Sequence, residues 1–377
     1  MDKLTQLLMD LVSIDSINPD LVPGGAGEAE VARFIAGWCS QAGLEVHLDE
    51  VRPGRPNVVA VARGTGGGQS LMLNGHIDVV GAGGMENPFQ PFIKDGRLYG
   101  RGVYDMKAGL AAQMLAAAQA RQLNLRGDVI LTGVMDEEFA GLGTLDIAQK
   151  YRADAAVIAE PTDMELIVAH RGFTWLEIET HGVAAHGSRP DLGVDAISLM
   201  GRVLVALEGL NKQLLSHASH PLLKSGSLHS GLINGGHEIS TYPERCVLSL
   251  ERRTLPGETP ELVTAQIQAI LDRLAAEDPT FKASLRCGLS RPPMETPVQS
   301  PVVELMQQAT AAVMGRPASP KGIGFWTDAA SLAAVGIPSV LYGPMGKGAH
   351  AVEEWVELSS VQQCAEVYLH LIQAFCQ

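Results

Sequence analysis

The chain has 377 residues, 46% of them hydrophobic, which suits well-buried cores and exceeds one simple domain. Its formal net charge of −14 argues against nucleic acid or an anionic membrane as partner, since both are bound by basic faces. No apolar run approaches the ~20 residues of a membrane-spanning helix, and the five scattered cysteines (Cys39, Cys246, Cys287, Cys364, Cys376) fit reduced thiols, so a soluble, cytoplasmic protein is expected.

The N-terminus, Met1 to Ser16, places Leu4, Leu7, Leu8, Leu11 and Val12 on one helical face, with acids between them. It lacks the basic start and apolar middle of a signal peptide. A loop rich in Pro and Gly follows, and then an amphipathic helix over Glu28 to Gly43, with Gly43 as its C-terminal cap. Leu44 to Val51 and Asn57 to Arg63 alternate as strands. Gly64 to Gly68 is a hairpin turn without the context of a nucleotide-binding loop.

Leu71 to Leu73 is an apolar run of the kind that marks a buried parallel strand. It ends in Gly75-His76-Ile77-Asp78. The two polar residues read either as a hydrogen-bonded surface pair or as a metal ligand with a supporting carboxylate. After a hairpin around Asp95-Gly96 comes Gly100-Arg-Gly-Val-Tyr-Asp105-Met-Lys107, leading into an Ala-rich helix from Lys107 to Gln122. Asp105 reads as the N-cap of that helix or as a ligand. The strand Asp128 to Met135 ends in Asp136-Glu137-Glu138, three adjacent acids that repel one another unless a cation or solvent compensates. Ala155 to Ala159 ends in Glu160-Pro161, where the proline stops the strand. Ser339 to Tyr342 runs into a glycine-rich loop that delivers His350.

Chemistry in open α/β sheets gathers beyond the carboxyl ends of the strands. His76, Asp105, Glu138, Glu160 and His350 would all lie on one such rim. Two imidazoles and several carboxylates suit two zinc-class ions bridged by a carboxylate. One acid of the Glu137–Glu138 pair is then free to act as a base.

From about Gly172 the pattern changes. Strands at Trp175–His181, Leu228–Ile233, Cys246–Arg252 and Phe281–Cys287 alternate with helices at Asp191–Leu210 and from Thr259 to Ala276. The order β-α-β-β-α-β is that of a ferredoxin-like sandwich. The expected fold is therefore α/β: a catalytic domain with a mixed central sheet flanked by helices, residues 1–171 and 290–377, interrupted by an inserted α+β domain, residues 172–289.

Taken in order, these residues resemble the M20 metallopeptidases, the zinc-peptidase-like group of acetylornithine deacetylase and succinyl-diaminopimelate desuccinylase. The resemblance rests on Gly75 to Asp78, Gly100 to Lys107, Asp136 to Glu138, Glu160 to Thr162, Ala185-His-Gly-Ser-Arg-Pro190, Arg253-Thr-Leu-Pro-Gly257, Thr327-Asp-Ala329, and Ala349-His350 with Glu354. It implies two divalent ions, zinc or cobalt. Asp105 would bridge them, His76 and Glu160 would complete one site, and Glu138 and His350 the other. Asp78 would support His76, and Glu137 would be the general base acting on a metal-bridged hydroxide. His186 would help to hold the oxyanion, reaching into the active site of a partner, because the inserted lid domain of such proteins carries a homodimer interface. Arg253 would bind a substrate carboxylate, against the alternative of a strand-end salt bridge, and Asn234 would add a polar contact.

The implied reaction is hydrolysis of the amide of an N-acyl amino acid, as in acetylornithine deacetylase. Glu at position 160 resembles the deacylases and carboxypeptidases of the family, and Phe325-Trp326-Thr327-Asp328 resembles its deacetylases more than its desuccinylases. A carboxypeptidase, a dipeptidase or a desuccinylase of the same family is the alternative, acting on a short peptide or another acyl amino acid. A non-catalytic binding homologue would lack a ligand or the base, and here all are present.

Overall fold

Four short parallel strands form the centre of the computed structural model, which describes residues 1–377. They lie in the order Val129–Val134, Leu71–His76, Ala155–Ile158 and Ser339–Leu341, and every residue in them is buried. Burial on both faces explains why these strands read as apolar runs instead of alternating. Antiparallel strands flank them. Arg55–Ala62 and Glu45–Arg52 extend one side, and Leu166–His170 pairs against Ser339–Leu341 on the other, giving a mixed sheet of nine strands.

The Ala-rich helix spans Ala108–Ala120 and is buried on nearly every side between the sheet and the C-terminal helix Leu358–Phe375. Alanine suits this position because it brings backbone close to backbone. Gly109 goes further: a Cβ there would fall 2.1 Å from the Ala159 carbonyl oxygen, so only glycine permits this approach. The contact fixes the start of the helix against the strand end that carries Glu160. The helix begins within one residue of the expected Lys107. Its N-cap position is Lys107, so Asp105 does not cap it. Lys107 is itself buried and donates to the carbonyls of Leu11 and Ile14 at 3.0 and 2.9 Å, at the end of the first helix, Lys3–Ser13.

A separate small sheet of Gly346–Lys347, Trp355–Glu357, Arg97–Tyr99 and Phe92–Lys94 ties the segment around His350 to the segment before Asp105.

Contacts divide the chain into two units: Met1–Val168 with Glu295–Lys321 and Thr327–Gln377, and Ala169–Met294 with Gly322–Trp326. The second unit contains a four-stranded antiparallel sheet, ordered Ser227–Gly235, Arg245–Thr254, Gly172–His181, Ala283–Arg291. Its helices, Ala196–Ser216 and Pro260–Glu277, pack on one face around Ile178, Val203, Leu248 and Ile267. This is the β-α-β-β-α-β order of a ferredoxin-like sandwich. Thr259 caps the second helix, with Pro260 in its first turn, as the sequence indicates. The first helix starts at Asp195, which accepts from the Ser198 N–H, and not at Asp191. Asp191 is instead drawn into an ion pair with Arg189, and Val194 is held extended by a bridge to Val183. No helix is long and apolar enough to cross a membrane.

Candidate metal centre

Each central parallel strand ends in a residue singled out from the sequence. His76 closes Leu71–His76, Asp136 to Glu138 follow Val129–Val134, Glu160 follows Ala155–Ile158, and the loop after Ser339–Leu341 leads to His350. Asp105 arrives from the kinked turn before the Ala-rich helix. The structure brings these residues together. Ligand atoms of His76, Glu137 and Glu160 lie within 4.8 Å of one another, as do those of His76, Asp105 and Glu138. Both acids of the Glu137–Glu138 pair therefore border the cluster.

Asp105 stands between the two imidazoles. Its Oδ1 lies 3.2 Å from His76 Nε2, and its Oδ2 lies 3.4 Å from His350 Nε2. His350, in the left-handed region at φ 62°, is also 3.0 Å from Glu138 Oε2. Glu137 Oε2 is 3.9 Å from His76 Nε2. His76 Nδ1 is 2.9 Å from the carbonyl oxygen of Asp78, a group that only accepts, so this nitrogen carries a hydrogen and Nε2 is the atom turned toward Asp105. The sequence reading had the Asp78 carboxylate supporting His76. That carboxylate is 3.6 Å from Nδ1 and accepts instead from the backbone N–H groups of Glu137 and Glu138, at 3.1 and 3.2 Å.

This arrangement carries more negative charge than its protein partners neutralise. Burial pushes the Glu137 and Glu160 carboxyls well above their usual range, and neighbouring carboxylates push the same way. Burial likewise raises Glu138 to about 7, with repulsion from Asp105 adding to it. Burial also acts to raise Asp105, but the facing imidazoles of His350 and His76 outweigh it and hold that carboxyl low. Hydrogen bonds to Asp105 and Glu138 raise His350 to about 10. Glu160 Oε1 is buried without a hydrogen-bond partner. The single Nε2 of His350 faces two carboxylates. Divalent cations would resolve both mismatches, so the donor set fits nitrogen- and oxygen-liganded ions of the zinc class. His76, Asp105, Glu138, Glu160 and His350 are the residues available to hold them.

Asp328, quoted from the sequence without a role, is buried and accepts from Thr144 Oγ1 at 2.7 Å. Burial raises it to about 7, and its charge in turn raises Glu137 and Glu160. The remaining expected site residues lie in the second unit. His186 is exposed, and its Nδ1 accepts from the Ser188 N–H at 3.2 Å, which leaves Nε2–H as a donor. Arg253 donates from Nε to Glu251 Oε1 at 2.6 Å and lies 5.5 Å above the Phe173 ring. It thus has a carboxylate partner in its own strand. Asn234 is exposed near the end of the edge strand.

Residues 72–374 match the family described as peptidase family M20/M25/M40. An acetylornithine deacetylase of Myxococcus xanthus is 29% identical over 384 residues, covering 99% of this chain and 97% of the relative. An N-formyl-4-amino-5-aminomethyl-2-methylpyrimidine deformylase of Bacillus subtilis is also 29% identical, covering 100% of this chain and 95% of the relative. Among solved structures, an aminopeptidase of Bacillus cereus matches with a TM-score of 0.84 at 22% identity, covering 100% of this chain and 98% of that one. A dinuclear metal-binding peptidase of Bacillus subtilis matches with a TM-score of 0.76 at 16% identity, covering 99% and 98%.

Glu354 sets the geometry of the Asp105 turn. It is buried, and one oxygen accepts from the N–H groups of Tyr104 and Asp105 at 2.8 and 3.1 Å. The other accepts from the Gly102 N–H at 2.9 Å and from Arg101 Nη1 at 2.8 Å. Arg101 is equally buried and reaches the Ala351 carbonyl at 2.8 Å, next to His350. One carboxylate thus clamps the turn bearing Asp105 to the loop bearing His350. Glu354→Ala removes the counter-ion of a buried guanidinium and is expected to cost about 3–5 kcal/mol of stability. Denaturant unfolding measures this, and a variant as stable as the parent would show that the clamp is unimportant.

Proposed function

The chain belongs to peptidase family M20/M25/M40 and is a metal-dependent hydrolase of that family, and we propose that it removes a small acyl group from the nitrogen of an amino acid. The observation that carries this reading is Asp105 shared between His76 and His350, with Glu138, Glu160 and Glu137 around it. Two ions, zinc or cobalt, are assigned to this cluster: His76, Glu160 and Asp105 would hold one, and Asp105, Glu138 and His350 would hold the other. When bound, such ions polarise the amide carbonyl and lower the pKa of a water, which makes that water a nucleophile at neutral pH.

The chain's own groups supply the rest. Glu137 takes a proton from the attacking water at its carboxylate and returns it to the leaving amine nitrogen. Its carboxylate lies 3.9 Å from His76 Nε2, at the edge of the cluster where the attacking water would stand. Asp78 holds the Glu137 N–H and, through its carbonyl, the His76 ring, so it positions both. His186 is assigned as the oxyanion donor through Nε2–H. Arg253 is assigned to the substrate carboxylate, with Asn234 as a further polar contact. For that role Arg253 must share its guanidinium with Glu251, leaving Nη1 and Nη2 for the substrate.

Two relatives support a small acyl group: one is named a deacetylase and the other a deformylase, at equal identity to this chain. The formyl-aminopyrimidine relative supports a second reading, in which the amine is heteroaromatic and not an amino acid. A carboxypeptidase or dipeptidase activity is a third arm of the test.

A homodimer is part of the proposal. Ser227–Gly235 is an edge strand of the second unit and exposes Leu232 and Ile233. An exposed apolar edge is a template for pairing with a second copy.

The decisive assay uses zinc- or cobalt-loaded protein with N-acetyl, N-formyl and N-succinyl amino acids, an N-formyl aminopyrimidine, and dipeptides. Turnover of an N-acetyl or N-formyl amino acid is expected, with Glu137→Ala losing roughly 10²–10⁴-fold in kcat while retaining its metal. Turnover of dipeptides alone would sink the deacylase reading, and full activity in Glu137→Ala would remove it as the base. Sedimentation equilibrium is expected to give twice the 40.0 kDa chain mass. A single-chain mass at micromolar concentration would refute the dimer.

A further inference from the structure

The turn that presents Glu137 and Glu138 is held from behind by a buried polar chain. Asp136 is fully buried at φ 69°, in the left-handed region that non-glycine residues rarely adopt. Its carbonyl accepts from the N–H groups of Ala140 and Gly141 at 3.1 and 2.6 Å. Its carboxylate Oδ1 accepts from Asn18 Nδ2 at 3.1 Å and from Arg55 Nη2 at 3.3 Å. Asn18 Nδ2 also donates to Asp78 Oδ2 at 2.8 Å. Asp78 is the residue whose two carboxylate oxygens receive the N–H groups of Glu137 and Glu138.

Asn18 is fully buried, and its side chain leaves little choice of residue. An amide nitrogen carries two hydrogens, and here they go to two carboxylates. The amide oxygen accepts from Arg55 Nη2 at 3.2 Å and from the Asp20 N–H at 2.9 Å. The backbone of Asn18 is pinned by its N–H to the Val79 carbonyl at 2.9 Å, one residue beyond Asp78. Arg55 is fixed in turn by a two-pronged pair with Glu28 at 2.5 and 2.7 Å and by Asp20 at 2.5 Å. An aspartate at position 18 would turn an acceptor toward two carboxylates, and an alanine would remove the donor that joins them.

We propose that Asn18, with Arg55 behind it, is a positioning residue for the hydrolase: by dividing its two N–H groups between Asp78 and Asp136, it sets the peptide frame from which Glu137 and Glu138 diverge. Glu137 then points to its work as a base and Glu138 to its work as a ligand. This rests on the metallohydrolase reading above. Asn18 touches neither substrate nor metal in this scheme, so its loss acts on kcat and on metal binding and leaves KM unchanged.

The test uses full-length Asn18→Ala and Arg55→Lys beside the parent protein. Five quantities are read: kcat and KM on the substrate the parent turns over, zinc affinity by competition with a chromophoric chelator, the visible spectrum of the cobalt-loaded protein, and thermal unfolding. Asn18→Ala is expected to remain folded, lose roughly 10–100-fold in both kcat and zinc affinity, and show an altered cobalt spectrum. Arg55→Lys, which keeps the charge but not the fork, is expected to shift the same readouts by less. If Asn18→Ala does not fold, Arg55→Lys decides by the same criteria. Parent-like zinc affinity and cobalt spectra in the folded variants would overturn the positioning role, even if activity fell in step with stability. A parent protein that takes up no zinc would overturn the metallohydrolase reading, and the proposal with it.

Discussion

Carboxyl groups crowded at one rim of four buried strands are the constraint on which the rest depends. Asp105, Glu137, Glu138 and Glu160 crowd around two imidazoles, and the carboxyls of Glu137 and Glu160 are forced far above their usual range. Such a cluster is unfavourable as an apolar core and incomplete as a hydrogen-bond network. It becomes favourable when cations supply the missing positive charge. The fold then has to hold the acids in place against their mutual repulsion.

It does so through groups that never reach the cluster. Glu354 gathers three backbone N–H groups and the Arg101 guanidinium, and so fixes the turn that offers Asp105. Asp78 gathers the two N–H groups of the Glu137–Glu138 pair. In both cases a buried carboxylate accepts from backbone, so the peptide is oriented and the side chains beyond it are left free. The parallel strands supply the common rim, and the glycine at position 109 lets the Ala-rich helix press close enough to keep that rim in register.

Much of this is legible in the sequence, for a definite reason. Strands buried on both faces read as apolar runs, so the polar residues at their ends, His76, Glu137, Glu138 and Glu160, stand out. The inserted unit is legible because its helices and strands keep the periods of 3.6 and 2. The supporting groups are not. Asn18 and Asp78 are 60 residues apart, and Arg101 and Glu354 are 253 apart, so no local pattern links them. Asn18 reads as one more polar residue in a Pro- and Gly-rich loop. The Asp78 carboxylate was expected on the His76 ring, and only the folded turn shows that it serves the next strand. Two aspartates, Asp191 and Asp195, could each start one helix, and the chain caps it with Asp195 while Val194 stays extended in a bridge to Val183. The strands Gly346–Lys347 and Trp355–Glu357 are too short to show any period.

Two ions that share Asp105 are the core of the proposed function. A crystal structure of the zinc-loaded protein, with anomalous scattering recorded at the zinc edge, tests it most directly. Two peaks about 3.5–4 Å apart are expected. Asp105 should lie between them, with His76 and Glu160 on one and Glu138 and His350 on the other. A single peak, or two peaks that Asp105 does not join, would contradict it.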